Sequence, residues 1–77
     1  MKKFAICINN EGHEVSLERW KVYELITDEK ASAYGQARVI DESGEDYLYP
    51  YDFFVRIDLP ELVQEAMISE RVGLSAP

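Results

Sequence analysis

Cys7 and His13 are the residues of this sequence whose types could form a nucleophile and its general base. Such a pair needs the imidazole within hydrogen-bond reach of the thiol. Cys7 falls in a predicted strand rather than at a helix start, where a thiolate is stabilised, and His13 falls in a polar loop. We therefore expect a buried structural thiol and a solvated imidazole. Two candidate ligands are also too few for structural zinc, which normally takes four Cys or His side chains.

Four acidic residues crowd one predicted turn: Asp41, Glu42, Glu45 and Asp46. Carboxylate oxygens suit a hard cation such as calcium, but the spacing is not that of an EF-hand loop. We expect a solvated hairpin tip whose like charges keep the strand edge from pairing with other chains. Glycine-rich phosphate loops, nucleophile elbows and dinucleotide fingerprints are absent from the sequence. The sequence therefore predicts a non-enzyme with no catalytic residue, no metal and no cofactor.

Composition bounds the kind of domain that carries these residues. The chain has 77 residues, of which 47% are hydrophobic and 30% charged, as in a small globular domain with a thin core. Apolar surface left uncovered at this size makes a homo-oligomer possible. The single cysteine excludes an intramolecular disulfide and favours a reducing cytoplasm.

The formal charge of −7 constrains the partners. It opposes the phosphate backbone and anionic membranes, so we expect neither nucleic acid nor a membrane as partner. The same charge favours a protein partner with a basic patch. The apolar run at residues 4–8 is too short to predict an export signal, and no stretch reaches the roughly 20 apolar residues of a membrane-spanning helix.

Short apolar and aromatic runs separated by turn residues predict an all-β domain of about five strands. The clearest signal is the hairpin around Ser43-Gly44, whose second strand runs into Pro50 and a tight turn. Residues 9–20 form a long polar loop, with Val15 and Leu17 expected to point inward. The predicted strands are residues 3–8, 21–27, 37–41, 45–49 and 53–57, with residues 28–36 as a connector.

A short amphipathic helix is predicted over residues 59–69. Asp58 and Glu61 are spaced as in a capping box, and apolar residues then recur at helical spacing. We expect this helix to pack over one end of the sheet. The sequence thus predicts a single domain over residues 1–69 and, since residues 70–77 have no period, a flexible tail.

Three stretches follow one another in an order typical of small barrels: residues 5–8 (AICI), 15–26 (VSLERWKVYELI) and 47–55 (YLYPYDFFV). They resemble the Src-homology-3 (SH3) family, whose domains run from a first strand through a long loop to a proline-x-x-tyrosine turn. The resemblance covers most of residues 4–57 and implies a small closed SH3-like barrel. Residues 38–50 (RVIDESGEDYLYP) resemble a stretch of small bacterial proteins of unknown function. That second resemblance implies a bacterial protein and no particular activity.

The family resemblance also implies a groove for proline-rich peptides, built from stacking aromatic residues and acidic residues of the long loop. Pro50 matches this pattern, and Glu11 and Glu14 supply loop acids. Cys7 and the pair Ala37-Arg38 stand where the groove aromatics belong in that family. Because the stacking residues are missing, we expect a different mode of binding.

Trp20 lies among charged residues, where the barrel pattern usually has a glycine in a tight turn. Two interpretations stay open: an exposed anchor for a partner, or a side chain that packs on the C-terminal helix or the barrel end. The high average burial of tryptophan favours the second. The aromatic cluster of residues 47–54 poses the same choice between ligand surface and core, and we expect a core role for most of it.

These patterns together predict a protein-protein interaction module or small accessory subunit in the bacterial cytoplasm. Its contact surface meets a partner with basic and apolar groups. The alternative is an enzyme, or a protein that binds a small ligand or cation through the acidic hairpin or the aromatic cluster. The predicted contact residues are Trp20, Tyr51, Glu11, Glu14, Glu42 and Glu45.

Overall fold

The computed structural model describes residues 3–71, and for Arg71 the backbone alone. No helix in this range is long and apolar enough to cross a membrane. The elements are β1 Lys3–Cys7, β2 Val22–Ile26, α1 Glu29–Ala33, β3 Gln36–Ile40, β4 Asp46–Pro50, a 3-10 turn Tyr51–Phe53, β5 Phe54–Ile57 and α2 Glu61–Arg71.

The five strands form one antiparallel sheet in the order β4-β3-β2-β1-β5. The prediction of a small, mostly β fold with five short strands and a C-terminal helix is therefore confirmed. β4 and β5 are the edge strands and do not pair with each other. The sheet is thus not closed, in contrast to the closed barrel predicted from the sequence.

The connection between the two edge strands forces the sheet to curl. The chain from Pro50 to Phe54 spans at most about 14 Å, whereas the edges of a flat five-stranded sheet lie about 19 Å apart. The rings of Tyr49 in β4 and Phe54 in β5 are 6.4 Å apart. The inner faces of the two edges therefore meet around the core.

The core occupies this inner face of the sheet. Ala5 lies opposite Tyr23, and Ala37 lies opposite Tyr49. Side chains directly opposite each other on neighbouring strands share one face of the sheet. Tyr49 and Phe54 take the core role expected for the aromatic cluster, while Tyr47 and Tyr51 are exposed. The buried cluster consists of Ala5, Cys7, Leu17, Tyr23, Ala37, Val39, Tyr49 and Phe54.

The connector between β2 and β3 contains α1, a helix that the sequence suggested only as a single turn. Asp28 caps it: its Oδ1 accepts the N–H of Ala31 at 2.9 Å, and its Oδ2 accepts Nε of Arg38 at 2.8 Å. Gly35 has φ 71°, which lets the chain leave the helix directly into β3. The cap and the arginine stabilise a helix too short to form alone.

The C-terminal helix α2 begins at Glu61, two residues later than predicted, and reaches Arg71. The carbonyl of Pro60 accepts the first helical N–H bonds at 3.0 and 3.1 Å. Within residues 3–71 no hydrogen bond joins Asp58 to Glu61, so the predicted capping box does not form. A residue that precedes proline is disfavoured in helical backbone, which explains the later start. Residues 72–77, most of the predicted tail, lie outside the described residues.

Candidate functional site

The long loop (residues 9–20) and the turn between β3 and β4 (residues 41–45) lie together at one end of the sheet. We call their outer side the loop-turn surface. The N–H of Glu42 in the turn donates to the carbonyl of Ser16 in the loop at 3.0 Å. Leu17 is 1% exposed, and its carbonyl accepts Nδ2 of Asn10 at 2.9 Å. The loop is therefore fixed on the core although it contains neither helix nor strand.

Asp41 is a buried anchor at the start of the turn. Its carboxylate accepts the hydroxyl of Tyr49 at 2.5 Å and the N–H and hydroxyl of Ser43 at 2.8 and 2.5 Å. The Tyr49 oxygen also lies 2.8 Å from Oγ of Ser16 in the long loop. Burial alone raises the pKa of Asp41, but these hydrogen bonds outweigh it and hold the pKa below its ordinary value. Asp41 thus belongs to the interior rather than to a solvated hairpin tip.

Glu42 makes a second connection between turn and loop. Its carboxylate accepts the hydroxyl of Tyr23 at 2.5 Å and pairs with Nζ of Lys21 at 2.7 Å. The Tyr23 oxygen in turn accepts the N–H of Glu18 at 2.8 Å. Burial raises the pKa of Tyr23, and the neighbouring Glu42 raises it further, so the phenol stays protonated and donates. Glu42, predicted as a contact residue, is therefore already engaged within the fold.

Trp20 extends from the loop-turn surface into solvent, with 63% of the residue exposed. Its φ of 71° lies in the left-handed region, which costs a residue with a Cβ roughly 1–2 kcal/mol. The Trp20 N–H donates to the carbonyl of Cys7 at 2.6 Å, and the Arg19 guanidinium lies 5.3 Å from the ring centroid. The favoured interpretation, in which Trp20 packs on the helix or the barrel end, was wrong. The indole is instead exposed to solvent on a strained backbone.

Three further predicted contact residues belong to the same surface. Glu11 and Glu14 are exposed on the long loop, and Glu45 is exposed at the end of the turn. Glu45 accepts the hydroxyl of Tyr47 at 3.2 Å, whereas Glu14 accepts only the backbone N–H of Gly12 at 3.3 Å. The fold thus brings these carboxylates to the end of the sheet that carries Trp20.

Val15 is an exposed apolar residue that the sequence placed wrongly. It is 97% exposed, whereas Leu17, expected beside it in the core, is buried. The N–H groups of Ser16 and Leu17 both donate to the carbonyl of His13, at 3.1 and 2.9 Å. The backbone is therefore turned here, and the alternation that holds along a strand does not apply. Val15 adds an apolar group to the loop-turn surface.

Tyr51 is separated from the other predicted contact residues. Its N–H donates to the carbonyl of Gly35 at 2.9 Å, and Gln36 pairs with Pro50 just before it. This is the end of β3 and β4 opposite the turn at residues 41–45. The six predicted residues therefore divide between two ends of the molecule.

Cys7 and His13 do not form a pair among the described residues. Cys7 is fully buried, and its thiol donates to the carbonyl of Asn9 at 3.3 Å. Burial raises the pKa of this thiol. The His13 ring instead contacts Tyr49 and Phe53 edge to face, with ring centroids 5.0 and 6.1 Å apart. Within residues 3–71 no group of three His, Cys, Asp or Glu side chains could hold a metal ion.

The strained backbone at Trp20 gives a testable prediction. Trp20→Gly and Trp20→Ala remove the same indole, but only glycine relieves the left-handed conformation. We expect Trp20→Gly to be the more stable variant by about 1 kcal/mol, after allowance for the greater freedom of glycine in the unfolded chain. Urea unfolding followed by far-ultraviolet circular dichroism measures the difference without the tryptophan signal. A more stable Trp20→Ala would contradict the left-handed geometry.

Comparison with known proteins does not assign this chain to a family. The chain matches no protein-family model, no curated protein and no solved structure. The functional conclusion therefore depends on the site itself: an exposed indole beside acidic residues, on a loop that Leu17 fixes to the core. The hydroxyl groups of Tyr23 and Tyr49 also contact this loop.

Proposed function

We propose that this protein is a non-enzymatic interaction module that binds a protein partner through the loop-turn surface. The observation that carries the proposal is Trp20, the single tryptophan, exposed and held on a backbone that disfavours it. Strained backbone persists where the surrounding structure enforces it, and it is concentrated at functional sites. Tryptophan is also the residue type most enriched among the energetic anchors of protein interfaces.

The chemistry of the loop-turn surface specifies the partner. Residues 9–20 and 41–45 carry six acidic residues, of which Asp41 is buried, and one arginine. Val15 and Trp20 supply the exposed apolar groups. A complementary segment carries lysine or arginine beside an apolar side chain, so its binding weakens as salt is added.

A cavity of about 470 Å³ adjoins this surface and supplies an apolar contact. Lys21, the residue after Trp20, lies on its wall, and Phe4, Val22 and Ile40 lie on its sheet side. Met67 of α2 forms part of the opposite wall. We propose that an apolar side chain of the partner enters here while its basic groups meet the acidic loop.

The alternative, an enzyme or cation site on the acidic hairpin, has less support because two of the hairpin carboxylates are already hydrogen-bonded within the fold. Asp41 already accepts three hydrogen bonds, and Glu42 is engaged with Tyr23 and Lys21. A catalytic acid or a cation ligand needs oxygen atoms free to meet its substrate or ion. The hairpin uses these two carboxylates to hold itself on the long loop.

We also propose that the domain is an open member of the SH3-like architecture that the sequence resembles. The long loop after β1 and the 3-10 turn that begins after Pro50 support this. The short connection between the edge strands and the contact between Tyr49 and Phe54 also support it, because both require a strongly curled sheet. The cytoplasmic location and the bacterial origin remain predictions from the sequence.

Affinity capture from a native cytoplasmic extract, followed by mass spectrometry, tests the proposed function. Wild type is compared with Trp20→Gly and with Tyr34→Ala, a matched control that removes an aromatic residue 78% exposed at the other end of β3. We expect wild type and Tyr34→Ala to capture the same protein and Trp20→Gly to lose it. Equal capture by all three proteins, or capture by none, would remove the support for the proposal.

A further inference from the structure

A second cavity lies at the end of the sheet opposite the loop-turn surface. Its volume is about 290 Å³, and its wall includes residues from β1, the end of β2, α1, β3 and β5. This volume is close to the roughly 300 Å³ of the smallest ligand pockets of proteins, which corresponds to one small organic molecule. No step of the proposed function uses this site.

Lys3 and Arg56 line this cavity from neighbouring strands, and neither has an ion pair among residues 3–71. Arg56 lies opposite Ala5 in the pairing of β5 with β1, and Lys3, two residues before Ala5, shares the face of that pair. Such diagonal neighbours are roughly 7–8 Å apart, a distance that long side chains can span, and the two like charges repel each other. Among residues 3–71 neither side chain has an ion pair, although the chain holds 15 acidic against 8 basic residues.

One of the two acidic residues of the cavity wall is neutralised. Asp28 is held by Arg38 at 2.8 Å and by the N–H of Ala31, and Arg38 also reaches Asp46 at 2.9 Å. Glu29 is the remaining carboxylate of the wall. The wall therefore presents more positive than negative charge, in a chain whose overall charge is −7.

Neutral groups of the wall add a second kind of contact. The ring of Tyr51 lines the cavity and is 43% exposed. Thr27 and Ser32 contribute hydroxyl-bearing side chains to the same wall. An aromatic ring beside cations and hydroxyl groups suits a ligand with a planar apolar part and an anionic group.

We infer that this cavity binds a small aromatic anion, whose phosphate or carboxylate lies between Lys3 and Arg56 and whose ring packs on Tyr51. The anion relieves the repulsion between the two cations. Added salt screens both the long-range repulsion between the anion and the net charge of the chain and the short-range attraction of the anion to the two cations.

Nuclear magnetic resonance titration of the full chain with phenyl phosphate, benzoate and inorganic phosphate tests this inference. We expect saturable shifts of the amide signals of Thr27, Ser32 and Tyr51 with at least one aromatic anion. Inorganic phosphate binds about 2–10-fold more weakly, because it lacks the ring contact. The stronger of the two aromatic probes identifies the anionic group as phosphate or carboxylate.

Charge-neutralising variants complete the test. The double variant Lys3→Gln with Arg56→Gln is expected to bind about tenfold more weakly or worse. Lys30→Gln, which removes an exposed lysine of α1 outside the cavity wall, is expected to bind within about twofold of wild type. Unchanged signals of the core residues show that the variants fold. The inference is overturned by the absence of saturable shifts, by shifts that survive in the double variant, or by inorganic phosphate that binds as tightly as the aromatic probes.

Discussion

Leu17→Ala is expected to lower the free energy of unfolding by about 3 kcal/mol and to loosen the loop-turn surface. Leu17 is 1% exposed and belongs to the core cluster with Cys7 and Tyr23, although it comes from a loop. Truncation removes its apolar contacts and leaves a cavity in the core. Since a domain of this size is stable by only about 4–11 kcal/mol, the loss is a large part of the total.

Val15→Ala is the matched control for this prediction. Val15 lies two residues away in the same loop and is 97% exposed, so its truncation changes stability by less than about 0.5 kcal/mol. Chemical denaturation of both variants measures the two effects. Similar losses from Leu17→Ala and Val15→Ala would show that the loop is not fixed on the core by Leu17.

The second large effect is expected at Asp41. Asp41→Ala leaves the hydroxyl of Tyr49 and the N–H of Ser43 without their acceptor, and the loss of a buried charged acceptor costs about 3 kcal/mol. Asp41→Asn keeps an oxygen acceptor and is expected to lose less. Tyr49→Phe removes one of the three hydrogen bonds and is expected to cost about 1–2 kcal/mol.

The pH dependence of stability follows from the same carboxylate. Hydrogen bonds lower the pKa of Asp41 in the folded state, against the opposing effect of its burial. Its contribution is therefore fully present above the unfolded-state pKa of about 3.9 and is lost as the pH falls through the lower folded value. Denaturation of the wild type between about pH 5 and pH 2 is expected to show a steeper loss than denaturation of Asp41→Asn. Equal slopes would contradict the anchoring role of the Asp41 charge.

Local patterns in the sequence predicted most of the regular structure. The hairpin around Ser43-Gly44 follows from a turn dipeptide between apolar runs, and Gly44 indeed has φ 84°. The same logic found the 3-10 turn after Pro50 and the short strands. The start of α2 was predicted two residues too early, although the residue before Pro60 is disfavoured in helical backbone.

The contacts that build the candidate site join residues that are far apart in the sequence. Local sequence patterns therefore could not predict them. Tyr49 and Asp41 are 8 residues apart, and Tyr23 and Glu42 are 19 apart. Both pairs depend on how β2, β3 and β4 align. The acidic turn therefore looked solvated from the sequence, although two of its carboxylates are bound by core tyrosines.

For Trp20, the average burial of tryptophan and the family resemblance favoured different predictions. The average burial of tryptophan favoured a packed side chain. The resemblance to a glycine position in a tight turn favoured an exposed side chain instead, and Trp20 is 63% exposed, with φ 71°. Exposure follows from that backbone and from the hydrogen bond of its N–H to Cys7.

The affinity of the captured partner for wild type, Trp20→Gly and Tyr34→Ala tests the central claim most directly. We expect Trp20→Gly to raise the Kd at least about 30-fold, the effect of losing an interface anchor worth 2 kcal/mol, in a protein that remains folded. Tyr34→Ala is expected to bind within about twofold of wild type. A Trp20→Gly protein that binds as tightly as wild type, or a Tyr34→Ala protein that binds as weakly as Trp20→Gly, would contradict a binding site at Trp20.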